Sequence, residues 1–218
     1  MYGTFEQKNI SVIKYKAILL SNLILVLSYL KYDIVFFLPL IIILVFTSEI
    51  FRKEWNPLNA ALTLFGLFYV TVPFVMLNLL LTENSTGMGI NIVIYIFILI
   101  WVCDTSAYFG GRFLGKHKLS EISPKKTWEG SVSGLLMTMV ISVAIHYIFP
   151  EKINFINAVF TGIITGIFSQ AGDLFESMLK RYCGVKDSSD LIPGHGGILD
   201  RFDSLIFVAP VIFVYFNA

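Results

Sequence analysis

Long apolar runs alternate with short polar breaks along the whole chain, and this alternation predicts a bundle of helices. A helix needs about 20 residues to cross a bilayer. Seven spans are predicted, at residues 17–30, 33–48, 58–81, 90–109, 130–149, 155–179 and 204–216. The first, second and last of these are the shortest. We therefore predict an all-α, polytopic integral membrane protein with about seven transmembrane helices and a polar active site that faces the cytosol.

Composition strengthens this prediction. Hydrophobic residues make up 56% of the 218 residues and charged residues 14%, and the mean hydropathy is +0.76, which is too apolar for a soluble domain of this length. We treat residues 1–218 as a single membrane domain, with N-terminal spans at 17–81 and a catalytic half at 90–218. The two cysteines, Cys103 and Cys183, offer neither a disulfide framework nor the spacing of metal ligands.

Basic residues are distributed unevenly between the two sides of the predicted bundle. Seven spans place 14 of the 16 lysines and arginines on the side of the N-terminus, and only Lys31 and Lys152 on the other. The positive-inside rule then puts the N-terminus and the two polar loops in the cytosol. A phosphate site would be basic in any case, but without those loops the split is still five against two.

The most polar stretch, residues 172–203, begins at the end of one apolar run and finishes at the start of another. Its acidic residues are Asp173, Glu176, Asp187, Asp190, Asp200 and Asp203. Interleaved with them are Lys180, Arg181, Lys186, Arg201 and a glycine-rich turn at 193–197. Hard cations bind carboxylate oxygens, whereas phosphates bind lysine, arginine and free backbone N–H groups. The combination indicates a metal-assisted reaction on a phosphate compound.

Helical spacing brings the charged residues of this stretch together. Asp173, Glu176, Ser177 and Lys180 share one helix face, and Asp200 and Asp203 share another if a helix begins near Leu199. Two helices would then point carboxylates at one ion. The alternative is a solvated helix end with surface ion pairs. A polar stripe that runs into an apolar helix weighs against this alternative, because burying such groups is costly unless they have a partner.

Two further features leave alternatives open. Asp104, near the cytosolic end of the fourth span, either faces the active cavity or pairs with Arg112. Ser123 and Pro124 have the pattern of an N-cap and a first helical residue, and such a helix would aim N–H groups, Lys125 and Lys126 at an anion. The other interpretation of these lysines is a basic patch for lipid headgroups.

Two Gly-x-x-x-Gly pairs, at 130–134 and 162–166, indicate close helix packing within the chain or a dimer contact.

The polar motifs resemble those of the phosphatidate cytidylyltransferases, or CDP-diacylglycerol synthases. The signature is present as Ser177-x-x-Lys180-Arg181, Lys186-Asp187 and Pro193-x-His195-Gly196-Gly197-x-x-Asp200-Arg201-x-Asp203. Two upstream segments are also similar to the family: Asp104-Thr105-x-Ala107-Tyr108-Phe109-x-Gly111, and Ser123-Pro124-Lys125-Lys126-Thr127-x-Glu129-Gly130. The resemblance covers the C-terminal half well and the N-terminal half only by hydropathy. The chain is shorter than this family leads us to expect, by one or two N-terminal spans.

The resemblance implies transfer of a cytidylyl group from CTP to phosphatidate, in a bacterial cytoplasmic membrane, with Mg²⁺ as cofactor and a second cation as an open alternative. It implies CTP, phosphatidate and the lipid bilayer as partners, a homodimer as an alternative, and no nucleic acid. The catalytic residues would be Asp173, Lys180, Arg181, Lys186, Asp200, Arg201 and Asp203. The substrate-binding residues would be Asp104, Lys125, Lys126, Ser177, His195, Gly196 and Gly197. The metal ligands would be Asp173, Glu176, Asp200 and Asp203.

Histidine 195 is expected to be a turn residue or hydrogen-bond donor rather than a general base. A phosphomonoester has a second pKa near about 6 and is already largely anionic at neutral pH.

Two rival functions come from different classes. A CTP-dependent polyprenol kinase would use the same nucleotide but transfer the γ-phosphate. A membrane transporter would carry charges within its spans, but here the charges concentrate at one membrane face and the sequence has no inverted repeat. An inactive relic is disfavoured by the intact signature.

Overall fold

The computed structural model describes residues 1–8, 10–82, 90–185, 188 and 197–217. Within these residues the chain forms eight α-helices, and its β-pairing is limited to an isolated bridge. The helices are α1 Tyr2–Gln7, α2 Lys14–Tyr29, α3 Leu38–Ile50, α4 Pro57–Thr82, α5 Ile90–Leu114, α6 Trp128–Ile148, α7 Phe155–Cys183 and α8 Leu199–Asn217. Helices α2 to α8 occupy the seven predicted runs, which confirms the all-α class.

Among the described residues, four helices are long and apolar enough to cross a membrane, as expected of a membrane protein. They cover Pro57–Thr82, Ile92–Leu114, Trp128–Ile148 and Phe155–Cys183. Helices α2 and α3 have 16 and 13 residues, or about 24 and 20 Å of helix, less than the roughly 30 Å of a hydrocarbon core. Helix α8 has 19 residues and begins with a charged turn. Seven crossings therefore remain a prediction.

Small residues let α5, α6 and α7 approach one another closely. A Cβ atom added at Gly134 of α6 would lie 3.0 Å from the carbonyl oxygen of Cys103 on α5, and one added at Gly162 of α7 would lie 2.9 Å from Cα of Met139 on α6. Gly130 and Gly166 have similarly close neighbours on α5 and α6. Both Gly-x-x-x-Gly pairs therefore pack within the chain, and nothing in them supports a dimer contact.

The helices that carry the acidic motif meet at Gly172. A Cβ atom at this position would lie only 2.4 Å from the carbonyl oxygen of Asp203 on α8. Just beyond this crossing, the rings of Phe175 and Phe207 pack with their centroids 5.4 Å apart. The absence of a side chain at Gly172 thus lets α7 bring Asp173 to the first turn of α8.

Helix α1 is an element that the sequence analysis did not predict. The hydroxyl of Tyr2 donates to the carbonyl of Thr63 at 2.7 Å. The ammonium group of Lys8 lies 3.2 Å from the ring centroid of Tyr182 and donates to its carbonyl oxygen. Phe5 is buried in a cluster with Cys183. Six residues are too few to show a helical period, so packing on α4 and α7 defines this helix.

The prediction of a helix beginning at Ser123 and Pro124 is wrong. Helix α6 begins at Trp128, and the side chain of Thr127 caps it by accepting from the amide of Gly130 at 3.2 Å. The preceding segment folds back on itself, since the amide of Leu119 donates to the carbonyl of Lys126 at 2.8 Å. The carbonyl of Lys126 is thus paired with the loop rather than with a following helical turn, and threonine is also a favoured N-cap.

Candidate active site

A polar cavity of about 530 Å³ lies at one end of the bundle. It is enclosed by the C-terminal half of α5, the loop at 115–127, the first turns of α6 and α8, and the second half of α7. Its charged and polar lining residues are Asp104, Tyr108, Arg112, Ser123, Lys125, Lys126, Thr127, Ser131, Gln170, Asp173, Asp200, Asp203 and Ser204. Segments far apart in the sequence therefore place cations and carboxylates in one space.

Helix α5 contributes Asp104, Tyr108 and Arg112, which are four residues apart and share one face. Of the two placements predicted for Asp104, the structure shows the one in the cavity. In the part of the chain that the structure describes, no ion pair joins Asp104 to Arg112. The Arg112 guanidinium instead donates to the hydroxyl of Tyr108 at 3.3 Å.

The loop that carries Lys125 and Lys126 is held in place by Glu129. This carboxylate accepts from the backbone amides of Lys116 and His117 at 3.1 and 3.3 Å, and contacts Nδ1 of His117 at 2.6 Å. Glu129 thus fastens the start of the loop to the first turn of α6. Both lysines reach the cavity as predicted, although the loop does so by β-type pairing rather than as a helix.

On α7, Asp173 is the acidic residue that lines the cavity. The Nζ of Lys126 lies 2.5 Å from its Oδ2 atom. The hydroxyl of Ser177 approaches its Oδ1 atom at 3.5 Å. The ion pair between Lys126 and Asp173 links the loop to α7. Arg112 and Lys125 are further cations that line the same cavity.

Asp200 lies in the first turn of α8, before the apolar part of that helix. Its Oδ1 atom accepts from Lys180 at 2.7 Å, and its Oδ2 atom accepts from the Ser188 amide at 3.0 Å and the Gly197 amide at 2.8 Å. Burial by itself raises the pKa of this carboxyl, but the hydrogen bonds outweigh burial and hold the pKa below its usual range. Asp200 is therefore a carboxylate at neutral pH.

Asp203 lies in the same turn, but its pKa is shifted in the opposite direction from that of Asp200. Burial, followed by the negative charge of Asp173, raises the pKa of Asp203 to about 7. A cation bound beside these two carboxyl groups would offset the repulsion that raises the pKa of Asp203. This side of the cavity thus favours a positively charged ligand.

Several predicted site residues do not reach the cavity. Glu176, Ser177, Lys180, Arg181, Gly197 and Arg201 lie outside its lining. Glu176 is completely buried and pairs with Lys180 at 2.5 Å, whereas Arg181 and Arg201 are exposed. Lys186, His195 and Gly196 lie outside the described residues. The set of four metal ligands therefore does not converge as predicted, because Glu176 faces the interior of the bundle.

Seven of the polar lining residues were not among the predicted site residues: Tyr108, Arg112, Ser123, Thr127, Ser131, Gln170 and Ser204. Tyr108 and Arg112 follow Asp104 by one and two helical turns, so the spacing alone could have identified them. Gln170 donates to the carbonyl of Ser131 at 3.1 Å and so links α7 to α6. Only the packing of these helices reveals that contact.

Comparison with known proteins identifies one family. The model of the cytidylyltransferase family matches residues 3–218. A phosphatidate cytidylyltransferase of Staphylococcus haemolyticus is 39% identical over 162 residues, which cover 74% of this chain and 60% of the relative. One from Haemophilus influenzae is 41% identical over 186 residues, which cover 81% of this chain and 64% of the relative. The chain thus spans about three fifths of the length of these relatives.

Proposed function

The chain belongs to the cytidylyltransferase family, and we propose that it transfers the cytidylyl group of CTP to phosphatidate. A phosphate oxygen of phosphatidate forms a bond to the α-phosphorus of CTP. The bond from that phosphorus to the oxygen bridging the α- and β-phosphates breaks, and pyrophosphate leaves with the electron pair. The products are CDP-diacylglycerol and pyrophosphate. The names of the relatives support this choice of substrates.

One observation carries the proposal: three separate motif segments meet in one cavity. The α5 segment brings Asp104 and Arg112, the loop brings Lys125 and Lys126, and the remaining acidic residues come from α7 and α8. Two anionic substrates that must react with each other need their negative charges neutralised and their phosphates aligned. A cavity lined by both cations for phosphates and carboxylates for a metal ion is suited to both tasks.

The cavity residues fit Mg²⁺ by their chemistry. Magnesium is usually held by one or two carboxylates together with substrate phosphates, rather than by a cage of protein ligands. Asp173 and Asp203 line the same cavity, although in the described ranges no group of three histidine, cysteine, aspartate or glutamate side chains could hold an ion by itself. We propose these two as the protein ligands. When bound, the ion would neutralise charge on the triphosphate and on the attacking phosphate.

Arg112 is suited to the phosphate of the lipid substrate. Its neighbour Tyr108 packs on Phe109 with ring centroids 5.4 Å apart, and Phe109 stacks on Phe113 at 6.1 Å. All three rings are largely exposed, so an aromatic surface extends from the cavity to the outside of α5. Acyl chains lying along this surface would place the lipid phosphate beside the Arg112 guanidinium.

The proposed reaction needs no general base. The attacking phosphate of phosphatidate already carries negative charge at neutral pH, so the protein's task is to bind and align it. The charge bias of the sequence supports a cavity on the cytosolic face of the membrane, where CTP is available. For a protein with relatives in bacteria, we propose the cytoplasmic membrane as its location.

A product assay tests the proposal. Purified protein in detergent is given CTP, Mg²⁺ and either phosphatidate or diacylglycerol, and the lipids are analysed by mass spectrometry. We expect CDP-diacylglycerol from phosphatidate and no product from diacylglycerol. Phosphorylation of diacylglycerol, or of a polyprenol supplied in its place, would instead identify a kinase.

A further inference from the structure

A second cavity, of about 520 Å³, lies away from the candidate active site and has the volume of a ligand site. It is lined by α2, α3, α4, α8 and the turn that joins α2 to α3. We propose that it binds one acyl chain of a zwitterionic phospholipid, and that Lys31 and Asp33 at its mouth bind the phosphate and the ammonium of the headgroup. Because the two cavities are separate, this site is independent of the proposed function.

The wall of the second cavity is apolar and deep. Most of it comes from one face of α4, at the three- and four-residue spacing of a helix: Phe68, Val72, Val75 and Leu79. From Phe68 to Thr82, the last residue of α4, the helix extends about 21 Å. One leaflet supplies roughly 15 Å of hydrocarbon core. The cavity is therefore long enough for an acyl chain that runs parallel to the helices.

The charged residues of the lining are at the mouth of the cavity. Lys31 and Asp33 follow the end of α2 and are exposed. In the part of the chain that the structure describes, neither takes part in an ion pair. Asp33 accepts from the amide of Val35 through Oδ1 at 3.1 Å, so its other oxygen remains available to a cation. One charge of each sign complements a zwitterionic headgroup, whereas an anionic headgroup would meet the negative charge of Asp33.

The length of α2 gives these charges a need for partners. Its 16 residues extend about 24 Å, so if Lys14 lies at one membrane surface, the other end of α2 stops roughly 6 Å short of the opposite surface. Lys31 and Asp33 then lie near the edge of the hydrocarbon core, where a charge is costly unless it is paired or hydrated. A headgroup drawn into the mouth would supply a partner for each.

A buried hydroxyl near the mouth offers a third contact. Ser28 lines the cavity and is 2% exposed. It accepts from the side-chain amide of Asn78 at 3.1 Å, and among the described residues it donates to no acceptor. Buried polar groups are normally paired. The Ser28 proton is thus suited to an ester carbonyl of the lipid.

Lys31→Gly separates lipid binding from folding. Lys31 has a φ of 62°, in the left-handed region that favours glycine, so this change removes the side chain at a position where glycine suits the backbone. In delipidated detergent the Tm should stay within about 3 °C of the parent. Phosphatidylethanolamine should raise the Tm of the parent, because it binds the folded state. The lipid concentration for half of this rise should be about tenfold higher for Lys31→Gly.

Asp33→Asn tests the other half of the headgroup. Asparagine still accepts from the Val35 amide and so retains the turn. The parent should bind phosphatidylethanolamine more tightly than phosphatidylglycerol, and Asp33→Asn should lose this preference. Glu151→Gln and Lys152→Gln, at exposed charges between α6 and α7, are the matched controls and should behave as the parent. A parent that is stabilised as well by phosphatidylglycerol, or controls as damaging as the two variants, would contradict the proposal.

Photo-crosslinking locates the acyl chain without any variant, so it decides the matter even if none of the variants folds. Phosphatidylethanolamine with a diazirine at the end of one chain is added to the purified protein in detergent, and labelled peptides are identified by mass spectrometry. We expect label on α4 between Phe68 and Val75, and its loss when unlabelled phosphatidylethanolamine is in excess. Val140, exposed on α6, reports ordinary lipid contact. Equal labelling around Val140, or labelling on α4 that the competitor does not reduce, would overturn the proposal.

Discussion

At the scale of single residues, the carboxylates around the cavity fall into two groups. Asp200 is saturated with hydrogen bonds from Lys180, Ser188 and Gly197. Asp173 and Asp203 line the same cavity, where burial and the negative charge of Asp173 raise the pKa of Asp203. The same residue type thus supports two roles, and the contacts of each side chain distinguish them.

The carboxylates of Asp173 and Asp203 are predicted to be essential for activity. Asp173→Asn and Asp203→Asn should each lower kcat/KM by about 100-fold or more, because each removes a charge that offsets the metal ion. Both variants should still elute from size-exclusion chromatography as the parent does. Glu121→Gln, at an exposed loop residue outside the cavity, is the control.

His195→Gln should retain more activity than either aspartate variant, since the reaction needs no general base. A loss as large as theirs would show that our dismissal of a base is wrong.

Arg112 is predicted to set the affinity for the lipid. Arg112→Gln should raise KM for phosphatidate by about tenfold, since an arginine–phosphate pair is a strong, charge-assisted contact. The KM for CTP should change less. Measuring both constants in mixed micelles makes the comparison, with Lys152→Gln, between α6 and α7, as the control. A larger effect on CTP than on phosphatidate would reassign Arg112 to the nucleotide.

Residue spacing predicted much of this site, because helical periodicity places residues three and four apart on one face. It found Asp173 on α7, and Asp200 and Asp203 on α8. It could not show that the face of α7 with Glu176 packs inside the bundle, while Asp173 faces the cavity. This orientation depends on which side of α7 packs against α6 and α8. The spacing of residues within one helix does not specify that long-range packing.

At the scale of elements, the crossing of α7 and α8 at Gly172 holds the acidic residues together. Gly172→Ala should push the helices apart, since a Cβ atom there would lie 2.4 Å from the carbonyl oxygen of Asp203. We expect a loss of about 1–3 kcal/mol of stability and a lower kcat. Thermal unfolding and activity assays would measure the two effects.

Gly3→Ala is a matched control for this change, because a Cβ atom at Gly3 would have no neighbour within 4 Å. Equal behaviour of the two variants would contradict the importance of the crossing.

Long apolar elements were predictable from the sequence, and short ones were not. Helices α4 to α7 each contain a long apolar run, which is enough to predict them from the sequence. Helix α1 has six residues and depends on Tyr2, Phe5 and Lys8 contacting α4 and α7. The helix predicted to begin at Ser123 and Pro124 is absent from the described loop, because Ser123 and Thr127 are both suitable caps and only the fold of the loop decides between them.

At the scale of the whole molecule, the topology is a prediction from the distribution of charge, and labelling can test it. Single cysteines introduced at Lys118 and at Glu151 lie at opposite ends of α6. The first should react with a membrane-impermeant maleimide only from the cytosolic side, and the second only from the opposite side. The native cysteines, both buried, provide the background. Labelling of both sites from one side would contradict the crossing of α6.

The number of crossings is harder to predict than their location. Helices α2 and α3 have the apolar character of spans but not the length, and α8 includes charged residues that belong to the cavity. Length and hydropathy therefore leave three of seven helices undecided.

The central claim is attack at the α-phosphate of CTP, and the fate of two radioactive labels tests it most directly. Purified protein is incubated with Mg²⁺, phosphatidate and CTP that carries ³²P at either the α- or the γ-position. We predict that α-label enters the lipid, that γ-label leaves as pyrophosphate, and that chelation of Mg²⁺ abolishes both. Transfer of γ-label to a lipid, with CDP released, would contradict the claim and identify a kinase.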